Sequence, residues 1–136
     1  MKNAPKILSI KSDKTELEKV EDFLSNVFIE NKLPLQYFNK VLLCVTEAVI
    51  NSIDHGNKND NRKNVYIEVK CYNNDIDVKI KDEGCGFDID NLDDPTNAKN
   101  LKKETGRGIH IIRSLSDEFQ FEDKGNCVRF KLKVSE

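Results

Sequence analysis

The sequence predicts an α/β chain of the α+β two-layer sandwich type: a mostly antiparallel mixed sheet with about three helices packed on one face. Three observations point there. Apolar residues recur at helical spacing in three segments, short strand-like runs fill the rest, and four of those runs form two pairs separated by turn residues. The resulting order is β-α-α-β-β-loop-α-β-β, which a sheet covered on one side by helices satisfies.

Ile7, Leu8 and Ile10 make a short opening strand, with Pro5 suited to its start or to a sheet edge. Asp13 with Glu16 three positions on resembles a capping box. Leu17, Val20, Leu24, Val27 and Phe28 then follow with helical period, so helix one is expected to run to about Asn31. After Leu33-Pro34, the residues Phe38, Val41, Leu42, Val45, Val49 and Ile53 mark one face of a second helix. It is expected to stop near His55-Gly56, because glycine reaches positive φ without steric cost. Residues 57–64 are polar and read as a loop.

Val65, Ile67 and Val69 alternate with polar residues, as do Ile76, Val78 and Ile80, and Asn73-Asn74 between them predicts a tight hairpin. From Glu83 to Thr105 no period is sustained, and so long a loop in a small domain is often functional. Ile109, Ile111, Ile112 and Leu115 give a third helix. Two further strands are expected around Glu118 to Glu122 and Cys127 to Val134, with Lys124-Gly125-Asn126 as their turn.

At 136 residues the chain is close to the size of one domain and long enough to bury about two-thirds of its unfolded surface. A single domain over 1–136 is expected. Hydrophobic content of 38% and charged content of 34% fit a polar surface, and no apolar run approaches the roughly 20 residues of a membrane span. No secretory signal is recognisable in Met1 to Ser12, so a cytoplasmic location is expected. The net charge of −2 offers no footprint for a nucleic-acid backbone. Cys44, Cys71, Cys85 and Cys127 are scattered without a C-x-x-C pair, which argues against a zinc site or redox motif and for reduced thiols packed as small hydrophobes.

Three blocks carry candidate chemistry. In TEAVINSIDHG (46–56), Glu47 and Asn51 are four residues apart on the second helix, hence only about 40° apart around its axis. They project together, beside the apolar stripe. In DEGCGF (82–87), a carboxylate follows directly on a strand. There it can accept a hydrogen bond from an exocyclic amine, and the glycines after it allow backbone to approach a flat ligand. In TGRGI (105–109), Gly106-Arg107-Gly108 precedes a helix whose N-terminal amides and dipole suit phosphate. His55 sits in a last helical turn, where the dipole favours it, and His110 is given no role.

Taken together, E-x-x-x-N-x-x-x-H-G on a helix, D-x-G-x-G after a strand and G-x-G opening a helix resemble the N, G1 and G2 boxes of the GHKL (Bergerat) ATPase superfamily. Within it, the N box is similar to that of the small anti-sigma factor serine kinases of bacteria. The resemblance covers roughly the whole domain and implies the Bergerat ATP-binding fold with a lid loop. By this resemblance Glu47 would be the general base and Asn51 would hold Mg²⁺. Asp82 would accept from the adenine amine, and Gly84 and Gly86 would shape the base pocket. Thr105, Gly106, Arg107 and Gly108 would close over the phosphates, and the segment between Gly86 and Thr105 would be the lid, its lysines candidate phosphate ligands.

The implied function is an ATP-dependent serine protein kinase acting as an anti-sigma regulatory factor. It would phosphorylate a serine on a STAS-type anti-anti-sigma antagonist and sequester a sigma factor. ATP and Mg²⁺ would be the cofactors, and no nucleic acid or membrane would be bound directly. A homodimer through helix one or the sheet edge is the assembly such relatives suggest. One departure is Glu104, where those kinases often carry a basic residue before the third box; Arg107 between the glycines is the candidate replacement charge. It keeps open an alternative, an ATP-binding interaction module of the same fold without phosphoryl transfer. A histidine kinase domain working in trans is disfavoured, because neither histidine sits in a dimerising helical-bundle pattern.

Overall fold

The computed structural model describes residues 4–84, 106–122 and 126–134. Within them five strands, β1 (Lys6–Lys11), β2 (Asn64–Tyr72), β3 (Asp75–Lys81), β4 (Glu118–Glu122) and β5 (Cys127–Lys133), form one sheet in the order β1-β2-β3-β5-β4. Every pairing among the described residues is antiparallel. The β2-β3 hairpin turns on Asn73 and Asn74 with φ of 51° and 67°, the double left-handed conformation that fits the twist of a two-residue turn and that asparagine tolerates. Here the local sequence signal and the structure agree. Lys124 and Gly125, the expected turn between β4 and β5, lie outside the described residues, as do Cys85, Gly86, Glu104, Thr105 and the whole expected lid between them.

The period-2 pattern of the strands puts one row of each on a common face. Leu8, Ile67 and Ile80 are in register across β1, β2 and β3, and Val78 is in register with Phe130 of β5. Three helices cover that face: α1 (Leu17–Glu30), α2 (Phe38–Asn51) and α3 (Gly106–Leu115). Each buries the stripe its periodicity marks: Val20, Leu24, Val27 and Phe28 of α1, Val41, Val45 and Val49 of α2, and Ile109 and Ile112 of α3. Cys44 and Ala48 complete the buried face of α2. Phe28 and Phe38 meet edge to face at 5.2 Å, which fixes the end of α1 against the start of α2.

The Asp13 cap is realised in modified form. Its carboxylate accepts from Thr15 N at 2.9 Å and caps a short 3₁₀ turn, Lys14–Glu16, that leads into α1. Glu16 reaches back to the amide of Lys11 rather than to that of Asp13.

The other sheet face carries charge. Asp77, 6% exposed, receives two hydrogen bonds from Arg129 across the β3-β5 pair, at 3.1 and 2.7 Å. This bidentate contact to the Asp77 carboxylate pushes the guanidinium's pKa above its already high ordinary value. Arg129→Leu leaves the buried carboxylate without its cation. Breaking a fully buried pair costs about 3–5 kcal/mol, and the partial exposure of Arg129 reduces the expected loss to about 2 kcal/mol in urea unfolding. Adding Asp77→Asn should recover most of it; no recovery would mean that packing of the Arg129 stem, not the stranded charge, sets the cost.

Insertion of β5 between β3 and the edge strand β4 has a direct consequence for the site. It puts the C-terminal end of β3, where Asp82 follows, beside the start of β5, and Asp82 N donates to Asn126 O at 3.0 Å.

Candidate functional site

Helix α2 is the spine of the site. Glu47 and Asn51 lie on it one turn apart, both half-buried at the margin of the core stripe. Among the described residues neither side chain has a hydrogen-bond partner. After Asn51 the helix does not stop: a π-helical turn, Ser52–Gly56, continues it, and Asn57 N closes the turn on Ser52 O at 2.8 Å. Single π turns within a helix widen the backbone and often occur at functional sites.

The helical path ends at Gly56, as expected, but not by the expected left-handed φ, which Gly56 does not adopt; the positive values fall on Lys58 and Asn59. The glycine is there for room. A Cβ at position 56 would land on the Asp82 carboxylate, and one at Gly84 would land on the Gly56 carbonyl. Gly56, Asp82 and Gly84 therefore stack without space for a side chain on either glycine. Asp82 is 6% exposed, and its Oδ1 accepts from Gly84 N at 2.8 Å. Its Oδ2 is not engaged by the described residues. Burial pushes the Asp82 carboxyl above its ordinary value, tempered by the Gly84 amide and the charge of Lys63.

The third block meets α2 further back, at Glu47, one turn before Asn51. Gly106 and Gly108 fall within the first turn of α3 instead of in a loop before it, with helix residues beginning at Gly106. Here too a glycine makes room: a Cβ on Gly108 would stand 3.0 Å from Glu47 Oε2 and 3.8 Å from Glu47 Cβ. The start of α3 thus comes down directly on the Glu47 carboxylate. Gly56 lies nine residues beyond Glu47 along α2 and its π turn, roughly 13 Å at helical rise. The two carboxylates that sequence singles out are therefore held about that far apart along one wall formed by α2 and its π turn. Of the expected site residues, Glu47, Asn51, Asp82, Gly84 and Gly108 are brought together along this wall, and Gly106 opens α3 beside them. Gly86 and Thr105 lie outside the described residues, and Arg107 is placed only as part of α3.

Sequence reasoning missed Asn57, which it read as loop. It is 1% exposed. Its Nδ2 donates to Ser12 Oγ and to Asn64 O at 2.9 Å, and its Oδ1 accepts from Glu83 N at 2.8 Å. The only sequence signal is its position directly after the His-Gly that closes the helix.

A hard cation or a hydrogen-bond donor is what a carboxylate and an amide oxygen on this wall suit. Among the described residues no cluster of three His, Cys, Asp or Glu side chains forms a cage for a metal. A magnesium ion at Asn51 would accordingly be held by one amide oxygen, water and phosphate, which suits its reluctance to dehydrate.

Comparison with known proteins identifies the family. The model of the histidine kinase-like ATPase domain matches residues 10–132. The chain is similar to the anti-sigma F factor of Oceanobacillus iheyensis, 35% identical over 96 residues that make up 67% of this chain and 66% of that protein. It is also similar to the anti-sigma F factor of Shouchella clausii, 30% identical over 63% of this chain and 60% of the relative. The serine-protein kinase RsbW of Bacillus cereus is 26% identical over 74% of this chain and 68% of its own length. The chain therefore spans somewhat under two-thirds of the first two relatives. A crystal structure of the RsbU and RsbW domains of Rv1364c from Mycobacterium tuberculosis shares the fold, with a TM-score of 0.66 at 12% identity over 96% of this chain and 32% of that one. Among the described residues no helix is long and apolar enough to cross a membrane. With the family model matching nearly the whole chain and its three blocks meeting along α2, the protein belongs to the histidine kinase-like ATPase family.

Proposed function

We propose that this protein is an ATP-dependent serine protein kinase that acts as an anti-sigma regulatory factor, phosphorylating a serine on a STAS-type anti-anti-sigma protein and sequestering a sigma factor in the cytoplasm. The observation that carries the reading is the seat of Gly108 on Glu47. It brings the N-terminal amides of α3, which suit phosphate, to a helix-borne carboxylate that can take a proton. The names of the relatives, anti-sigma F factor and serine-protein kinase, support the same class of activity and partner.

In this reading adenine lies at the Gly56-Asp82-Gly84 stack. Asp82 Oδ1 is held by Gly84 N, and Oδ2 accepts from the exocyclic amine. The triphosphate runs along α2 past Asn51 toward α3. Mg²⁺ at Asn51 would supply charge neutralisation of the phosphate oxygens. Glu47 accepts the proton of the attacking serine hydroxyl, and Gly108 brings no side chain of its own against that carboxylate. Gly106 and Arg107 at the start of α3, with Gly86, Thr105 and the lid, would close over base and phosphates.

Asp82→Asn tests the nucleotide half. An amide offers the adenine amine a weaker, neutral acceptor, so calorimetry with Mg-ATP should show an affinity loss of about 10–100-fold. Stability should move the other way. Because burial raises the folded-state pKa of Asp82 above its ordinary 3.8, the protonated form favours the fold. That contribution is present below pH 3.8 and is lost as pH rises through the folded value. At pH 7 the variant, free of the buried charge, should therefore melt higher, on the order of 2 °C. Unchanged ATP affinity would remove the adenine assignment.

Incubation of the wild type with labelled ATP and a STAS-type antagonist tests the transfer half. No label on the antagonist, with ATP still bound, would leave the binding module that Glu104 keeps open.

A further inference from the structure

Asn57 lies outside all three blocks, yet it is one of five buried polar or charged residues among those described. Both its side-chain donor and its acceptor are used, and each bond goes to a different segment. Ser12 follows β1, Asn64 begins β2, and Glu83 follows the adenine-site carboxylate. Its own backbone amide closes the π turn that ends at Gly56. A buried amide satisfied this fully is rigid, because releasing any partner strands a desolvated donor or acceptor.

One of those bonds matters for chemistry. Glu83 N belongs to the peptide that joins Asp82 to Glu83, so its bond to Asn57 Oδ1 at 2.8 Å fixes the plane of that peptide. The other side of Asp82 is fixed by its own amide on Asn126 O. With both flanking peptides pinned, the carboxylate has one seat, against Gly56 with Oδ1 on Gly84 N.

We infer that Asn57 is a positioning residue for base selection: through the Glu83 amide it holds Asp82 in the one orientation that takes an adenine amine. The inference rests on the reading of Asp82 as the adenine acceptor. Without the Asn57 oxygen, the 82–83 peptide keeps only the longer 3.4 Å bond from Asn126 Nδ2 to the Asp82 carbonyl, so its plane is held more loosely and the carboxylate loses its aim while the phosphate end of the site is untouched. A purely structural Asn57 would instead lower stability or weaken all nucleotides alike.

The discriminating measurement is the ratio of affinities for ATP and ITP, which differ in replacing the exocyclic amine by a carbonyl. A hydrogen bond to a charged acceptor gives the wild type a preference for ATP of about 10–100-fold. Four proteins are compared at a temperature where all are folded: wild type, Asp82→Asn, Asn57→Ala and Ser12→Ala. Asn57→Ser, too short to reach Glu83 N, replaces Asn57→Ala if that variant does not fold.

The expected result is collapse of the ratio to within about threefold in Asp82→Asn and in the Asn57 variant, with wild-type preference kept in Ser12→Ala, which removes a different bond of the same amide. If Asp82→Asn keeps the ratio, the adenine reading itself fails. If Asp82→Asn loses it while the Asn57 variant keeps it, Asn57 is structural only. Loss in Ser12→Ala as well would trace the effect to general loosening and overturn the positioning role.

Discussion

Glu47→Gln should abolish phosphate transfer to the antagonist, by at least the 10²–10⁴-fold that a positioned general base contributes, while Mg-ATP still binds within about threefold of the wild type. Glutamine has the volume of glutamate, so Gly108 keeps its close seat on the side-chain terminus and α3 stays in register on α2. The substitution removes only the capacity to take a proton. The groups assigned to nucleotide binding are elsewhere: Asp82 beyond the π turn, Asn51 one helical turn on, and the amides of α3. Single-turnover label transfer at saturating ATP, beside calorimetry on the same preparation, separates the two effects. Full transfer would place the base on another residue. Loss of ATP binding would make Glu47 a support for α3 and not a base. Glu47→Ala is the poorer test, because deleting the side chain opens space beneath Gly108 and lets α3 shift.

Most of the fold was legible because the signals are local. The asparagine pair at 73–74 announces a turn by its own backbone tolerance, and both residues adopt the positive φ it implies. The helix stripes announce their buried faces through period alone, and Val20, Leu24, Val41, Val45 and Val49 are all in the core. The functional blocks were legible for a related reason: Glu47 and Asn51 share a helix face whatever the helix packs on.

What could not be read depends on residues distant in sequence. Gly56 does end the helical path, but for a reason the sequence does not show: its missing side chain answers to Asp82, 26 positions later, not to a positive φ. Gly108 looked like an approach loop and instead makes room for Glu47. Asn57 looked like a turn residue since asparagine is common in turns, yet its partners Ser12 and Glu83 lie 45 and 26 residues away. The insertion of β5 between β3 and β4, which brings Asn126 to Asp82, leaves no mark on the strand pattern either.

Gly56→Ala should be the most damaging small substitution in the site, costing about 1–3 kcal/mol of stability through overpacking and lowering ATP affinity by about 100-fold or more. Alanine is ordinarily the better helix residue by about 1 kcal/mol, so a conformational account of this glycine predicts a gain. The structure predicts a loss, because the added methyl would occupy the place of the Asp82 carboxylate. Asp82 cannot swing aside cheaply: it is buried, its amide is bonded to Asn126 and its Oδ1 holds Gly84 N. A double-mutant cycle isolates the cause. With Asp82→Ala in place there is no carboxylate to strike, so adding Gly56→Ala should be near neutral for stability, and the two substitutions should show a coupling of at least about 1 kcal/mol. Additive losses would mean that the two residues do not share the contact. In either background ATP affinity should stay low, because the acceptor is displaced in one and deleted in the other; recovery of stability without recovery of binding is the signature of a glycine kept to seat a carboxylate.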